Sequence, residues 1–565
     1  MVPSAPEIEW EACTERDCIG AVAEDGRCLG HLGDHKLGAA LDRQLGDGVL
    51  DARGAPIYGT VLSRILDALR DARTHEAKPT VLFGRATFSG DASFSGATFS
   101  GAARFDRAAF SGGAWFSGAT FSGAARFNAA TFSGAARFDR AAFSGDARFS
   151  GAAFERAREF GPLLALAALD LDAAAFDRAI RIEVSSNALS CRGTRFREGA
   201  NLQVRWAEVV LDEAEFAGPS ILATAEPNDA IKGREGELAA LCQGRARLVR
   251  ERSKRERSEQ MRLEQARSGR ARIVSLRRAN VGNLALSGVD LAACRFEGAH
   301  NLDGLRTEGA TFAQPPSGWR WNKPWPFPRK WTPRQVLAEE HEWRSHQADS
   351  QGWYPPECWP PWGLTESGSS RTEAPRPQQI APIYRDLRKG REDNKDEPGA
   401  ADFYYGEMEM RRQRPRSRAT AQPTGGDRLG EPPDEHGGDA RADASAPEDA
   451  ALRSTPLSER LILALYWLVS GYGLRASRAL TALLVTVVLF AVCFWAIGFG
   501  SQPPGQSPDF IRALLFSVES TSSLFRVPDT PGLTRIGEAL QIVLRLIGPL
   551  FFGLALLSLR GRVKR

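Results

Sequence analysis

Between Phe83 and Phe154 the chain reads FGRATFSGDASFSGATFSGAARFDRAAFSGGAWFSGATFSGAARFNAATFSGAARFDRAAFSGDARFSGAAF. After Phe83 the phenylalanines fall at Phe88, Phe94, Phe99, Phe105, Phe110, Phe116, Phe121, Phe127, Phe132, Phe138, Phe143, Phe149 and Phe154, so the spacing alternates between five and six. Each of these thirteen has alanine two positions earlier, as in Ala97-Thr98-Phe99-Ser100-Gly101. A 3.6-residue period would scatter such spacings around a helix, and a two-residue period would send alternate rings to opposite faces of a strand. A chain that turns a corner every five or six residues fits instead. It brings one Phe and one Ala per side into a shared interior and stacks successive coils at the roughly 4.8 Å spacing of neighbouring strands. Four sides of five, six, five and six give 22 residues per coil.

Phe88, Phe99, Phe110 and Phe121, each with a small residue two before it at Ala86, Ala97, Ala108 and Ala119, resemble the centres of the pentapeptide-repeat family. The resemblance implies a mainly β fold, a right-handed quadrilateral β-helix. This chain departs from the family pattern by inserting one residue in every second unit. Looser small-x-large units such as Ala174-Ala175-Phe176 and Ala214-Glu215-Phe216 extend the coils, so the β-helix is assigned to 81–225. Coiling resumes over 273–318 after a charged helical insertion at 226–272. Arg245 to Arg272 in that insertion holds eleven basic residues against four acids, with Glu interleaved at helical spacing, which reads as a solvated helix.

Family members that mimic DNA and inhibit gyrase need an acidic rod. Between Phe83 and Arg156 five acids (Asp91, Asp106, Asp139, Asp146, Glu155) face eight arginines, a net +3. That sign is wrong for mimicry; it reads first as an ordinary solvated face, with acidic partners or anionic lipid as the alternative. The whole chain of 565 residues carries only +4, from 73 basic and 69 acidic side chains, so no nucleic-acid partner is expected.

Before the coils, residues 41–80 read as a helical cap, with a helix around Ile57 to Ala72. Residues 1–40 contain Cys13, Cys18, Cys28 and His31, three thiols and an imidazole in two close pairs. Four soft or borderline ligands at this spacing suit tetrahedral zinc in a closed structural site; the alternative is unligated thiols. His35 is a spare ligand. His341 and His346 are five residues apart, which puts their rings about 140° apart on a helix and argues against a metalloprotease motif. Eight cysteines in this length do not make a disulfide scaffold, and no signal peptide is read at the start.

Downstream, Trp319 to Trp362 holds eight of the thirteen tryptophans, and 319–379 reads as a Trp/Pro-rich cap and loop. Residues 380–412 read as a juxtamembrane helical segment and 413–455 as a disordered linker. The last part, 456–565, holds an interfacial helix in Leu461 to Leu474 and two uncharged or nearly uncharged runs of twenty-one residues, Ala479 to Phe499 and Ala539 to Leu559, each near the length that crosses a bilayer. Arg475 and Arg478 before the first and Arg560, Arg562, Lys564 and Arg565 after the second place both termini in the cytoplasm of a two-span plasma-membrane protein.

The loop between the spans carries an amphipathic stretch, Pro508 to Phe525, so the order span, short helix, span is similar to two-helix cation channels, without their Gly-Tyr-Gly filter. The chain's Gly471-Tyr472-Gly473 precedes the first span. Glu519, Glu538 and Arg545 are the charged groups of this region; Arg545 is either neutralised by one of the two glutamates or snorkels to the interface. Tyr384 to Lys389 and Glu397 to Arg412 look like the juxtamembrane segment of bacterial pentapeptide-repeat membrane proteins. These features together point to a non-enzymatic scaffold, held in the lipid bilayer, that presents its rod to a protein partner. The alternative is a homo-oligomeric pore.

Overall fold

The structure is a computed structural model that describes residues 8–71, 78–226, 236, 269–316, 319–320, 329–331, 333–347, 353, 375–413, 457–472, 476–499, 509–522 and 532–563. It comprises two compact units, Met1–Pro375 with Lys389–Lys395, and Arg376–Arg388 with Asp396–Arg565. The charged insertion, all but residues 226, 236 and 269–272, and the linker beyond Gln413 lie outside the described residues.

The first unit is a parallel β-solenoid with four sides. Each side contributes two-residue strands, and each strand pairs with its counterpart one coil away: Thr87-Phe88 with Ala109-Phe110, then Thr131-Phe132, then Ala153-Phe154. The offset is 22 residues, as the alternating spacing requires. In every pair one residue points in and one out. On one side Ala103, Ala125 and Ala147 are buried while Arg104, Arg126 and Arg148 form an outward row. Phenyl rings fill the interior. Phe88 and Phe110 stack at 4.6 Å and 5°, Phe110 and Phe132 at 4.9 Å and 1°, and rings of opposite sides meet edge to face, as Phe105 and Phe116 do at 5.7 Å and 87°. Both geometries are favoured by the ring quadrupole.

Corners need small residues where backbones of successive coils nearly touch. A Cβ placed on Gly134 would lie 2.1 Å from the carbonyl oxygen of Gly112 one coil below. Gly118, at φ 68°, has open space, and Arg140 occupies the equivalent position one coil on at φ 58°. Gly134→Ala is therefore expected to destabilise the solenoid by about 1–3 kcal/mol through forced backbone shifts, whereas Gly118→Asn stays within about 0.5 kcal/mol. Urea denaturation of the detergent-solubilised protein, followed in the β-sheet dichroism band, checks the pair.

Beyond Phe154 the coil tightens. Glu159–Asp170 and Ile180–Ser190 are long strands that run through a corner, because Leu163 to Leu169 lacks the Ser-Gly pair that turns the chain elsewhere. Two register shifts between them reduce the offset from 22 (Glu159 with Arg181) to 21 (Leu163 with Val184) and 20 (Ala168 with Ala188). Phe176, Phe196 and Phe216 then stack at 20-residue intervals. The sheet closes over the insertion, since Glu208 pairs with Arg272 and Ser220 with Leu284.

The sequence reading opens the solenoid at 81, but the first coil lies earlier. Val49–Asp51 pairs with Thr80–Leu82 and Pro56-Ile57 with Thr87-Phe88. This coil has Ile57 where later coils have Phe, and helix α2 (Gly59–Asp71) is inserted into it, which hides the period. Helix α1 (Asp34–Gly46) precedes the coil.

At the other end, helix α3 (Ala338–Ser345) belongs to the same unit. Its Glu340 is buried between Arg334 at 2.5 Å and Arg344 at 2.7 Å, and the Arg344 guanidinium lies 4.8 Å from the ring centres of both Trp331 and Trp353. Glu339 accepts a hydrogen bond from the Phe296 backbone N–H, and burial pushes its carboxyl up to about 7. A carboxyl whose folded value lies above its unfolded one binds more protons when folded. Its contribution is present below the ordinary carboxylate range near pH 4.5 and is lost as pH rises towards 7. Glu339→Gln is expected to flatten the fall in melting temperature over that window.

The second unit is helical: α4 (Pro377–Asp393, up to Arg388), α5 (Glu397–Arg412), α6 (Leu457–Ser470), α7 (Ala476–Cys493, continued by a π turn over Phe494–Gly498), α8 (Phe510–Ser522) and α9 (Arg535–Val563). Two segments, Arg478–Gly498 and Arg535–Leu554, with mean hydropathy 2.7 and 1.4, are long and apolar enough to cross a membrane. The second begins four residues before the run read from sequence.

Candidate metal centre

The four N-terminal ligands converge. A tight turn at Glu24 to Arg27, closed by Arg27 N–H donating to the Glu24 carbonyl at 2.8 Å, folds the segment back on itself. Cys13 N–H donates to the Gly20 carbonyl at 2.7 Å, bringing the first pair of cysteines beside Cys28. A 3-10 turn over Leu29–His31 then swings the imidazole inward. Cys13 Sγ and Cys28 Sγ each lie 3.5 Å from His31 Nδ1, and Cys18 Sγ lies 3.8 Å from Cys28 Sγ. All four ligand atoms are within 4.8 Å of one another, so the cluster can hold a metal ion. For ligand bonds of about 2.3 Å to sulfur and 2.0–2.1 Å to nitrogen, tetrahedral edges are about 3.8 Å and 3.5 Å. The observed separations are close to those edges. His35, on α1, is not part of the cluster.

The thiols repel one another's ionisation. Burial, then the charges of Cys18 and Cys13, push the Cys28 thiol up to about 12, and burial raises Cys18. Burial also opposes ionisation of Cys13, but hydrogen bonds at the Glu15 and Cys28 backbones and from His31 outweigh it and bring that thiol down to about 7. A dication reverses this balance, because it stabilises every thiolate at once.

His341 and His346 do not meet. His341 Nε2 lies 3.1 Å from the Gln314 carbonyl oxygen and His346 Nδ1 lies 2.7 Å from that of Glu342. Of the charged groups on α8 and α9, Glu519 and Glu538 are exposed and Arg545 is half-buried. α8 packs between α7 and α9 through Phe494, Ala513, Phe516 and Leu544. Ser517, Ser520 and Gln541 are buried there; the sequence reading set Ser517 to Phe525 along the constriction of a pore and missed Gln541. The signal was available, since Gln541, Leu544 and Gly548 recur at helical spacing on one face of α9.

Tyr472 of the Gly-Tyr-Gly motif has a different role. It is 1% exposed, and its hydroxyl donates to the Glu409 carboxylate at 3.3 Å, while Trp467 Nε1 donates to the Tyr405 hydroxyl at 3.0 Å. Arg412 and Arg478 both lie against the Trp467 ring, at 4.6 and 5.0 Å. The motif therefore anchors α5 to the end of α6.

The family model described as pentapeptide repeats (9 copies) matches residues 83–131, within the phenylalanine ladder. No curated protein and no solved structure matches the chain. The ladder is a pentapeptide-repeat β-solenoid.

Proposed function

We propose that the protein is a membrane-anchored, non-enzymatic scaffold whose solenoid presents its outer faces to a protein partner in the cytoplasm. The observation that supports this most is the solid interior. From Phe83 to Phe154 every ladder ring is at most 1% exposed, so no substrate enters the rod and recognition falls to its surface. The outward row Arg104, Arg126 and Arg148, together with the net +3 of the ladder, favours an acidic protein surface. The two long apolar helices hold the chain in the plasma membrane, and the basic residues flanking them keep both termini cytoplasmic. The Cys13, Cys18, Cys28 and His31 cluster binds one structural zinc ion.

Affinity capture with the full chain tests the reading. Partners retained by the protein and lost when Arg104, Arg126 and Arg148 are all changed to Glu support it; an identical partner set for both sinks it.

The packing of α8 between the two long helices, with Glu519 exposed on its outer side, favours a second reading, a homo-oligomeric pore. Planar-bilayer recording separates the two. Conductance altered by Glu519→Gln supports the pore, and none from the purified protein rejects it.

A further inference from the structure

We infer that the metal cluster is the seal on the open N-terminal edge of the solenoid, so that order in the first coil depends on the bound ion. This rests on the zinc reading above. A β-solenoid pairs every internal coil on both sides but leaves the first coil with one free row of backbone groups, which invites fraying or pairing with another chain. Here the row is covered from outside. Ala21 N–H donates to the Arg53 carbonyl at 2.7 Å, and the Asp51 N–H donates to Gln44 Oε1 of α1 at 2.9 Å.

The rest of the cover is backbone against backbone. A Cβ on Gly30 would lie 2.1 Å from the Pro56 carbonyl oxygen, one on Gly54 2.4 Å from that of Ile19, and one on Gly20 3.2 Å from the Ala55 Cα. The three contacts join the 19–30 segment to the coil at 54–56. Gly20 lies two residues from the ligand Cys18, and Gly30 lies between the ligands Cys28 and His31. Trp10 adds a strap: its Nε1 donates to the Ile19 carbonyl at 2.9 Å, and its ring lies against the guanidinium of Arg53 on the first coil and of Arg85 on the second, at 4.7 and 5.8 Å.

Contacts this close tolerate no change in loop shape, and four ligands drawn from residues 13–31 are what set that shape. Take the ion away and three thiols with an imidazole are left crowded within 4.8 Å, without the charge that favours their approach. The loop relaxes, and the first coil loses its outer partners. Interior coils, paired on both sides, do not feel the loss.

The test is hydrogen exchange on the full-length protein in detergent micelles, with zinc content measured by elemental analysis. Treatment with EDTA is expected to remove one zinc per chain and to speed exchange at the Ala21, Ala52 and Gly54 amides at least tenfold. Exchange at 195–216 stays unchanged, and added zinc chloride restores protection. Gly54→Ala stands on the coil side of the contact, away from every ligand; it keeps its zinc yet shows fast exchange at Ala21 and Ala52. Unchanged protection at Ala52 and Gly54 after verified zinc loss, or at Ala21 and Ala52 in zinc-loaded Gly54→Ala, overturns the seal and leaves zinc binding standing. A chain that takes up no zinc overturns both.

Discussion

Phe116→Ala is expected to cost about 3–5 kcal/mol, the range for emptying an aromatic site in a core that cannot collapse. Phe116 is fully buried, stacked on Phe94 at 4.7 Å and Phe138 at 4.9 Å, with Phe105 and Phe127 edge-on at 5.7 and 5.4 Å. Its neighbours are pinned by parallel pairing above and below, so a void left in the column is not refilled. Urea denaturation of the solubilised protein reads the loss as a lower midpoint. Ser117→Ala, at the adjoining corner, gives up one hydroxyl donated to Asp139 at 2.7 Å and is expected to cost about 1 kcal/mol. Equal effects from the two substitutions would mean that the rings do not carry the core.

Cys28→Ser is expected to weaken zinc binding by on the order of a hundredfold or more, because even orienting groups around a zinc ion are worth 10–100-fold and a ligand is worth more. Cys28 is fully buried and central, with both Cys18 Sγ and His31 Nδ1 beside it. His35→Ala leaves the affinity unchanged, since that imidazole lies outside the cluster. Competition with a zinc-binding dye measures both. Tight binding by Cys28→Ser, or loss in His35→Ala, would reassign the ligands.

The phenylalanine ladder was legible in the sequence because its spacing states the coil length directly; 22-residue pairing follows from five plus six, twice. The first coil was not, since Ile57 replaces Phe and α2 separates Ile57 from the second coil at Thr80. The bent strands at 159–190 escaped for the opposite reason: a corner was expected where Ser-Gly is missing and the apolar run continues. In the metal centre the ligands were legible from spacing, but the close approach of Gly30 to Pro56 links positions 26 apart that share no local pattern. Tyr472 was read only against a channel filter. Its partner Glu409 lies 63 residues earlier, beyond the reach of any motif.

The central claim is that the chain winds into a stiff, regularly stacked rod, and a spin-label distance tests it most directly. Thr87 and Glu215 are outward positions in one column, linked by six successive pairings through Ala109, Thr131, Ala153, Ala175 and Arg195. Six steps of strand spacing separate them by about 29 Å. Labels on Thr87→Cys and Glu215→Cys, in full-length protein with Cys242, Cys358 and Cys493 changed to Ser, are expected to give a narrow distribution near that value. A broad distribution centred beyond about 45 Å, as an unwound chain of this length would give, contradicts the account.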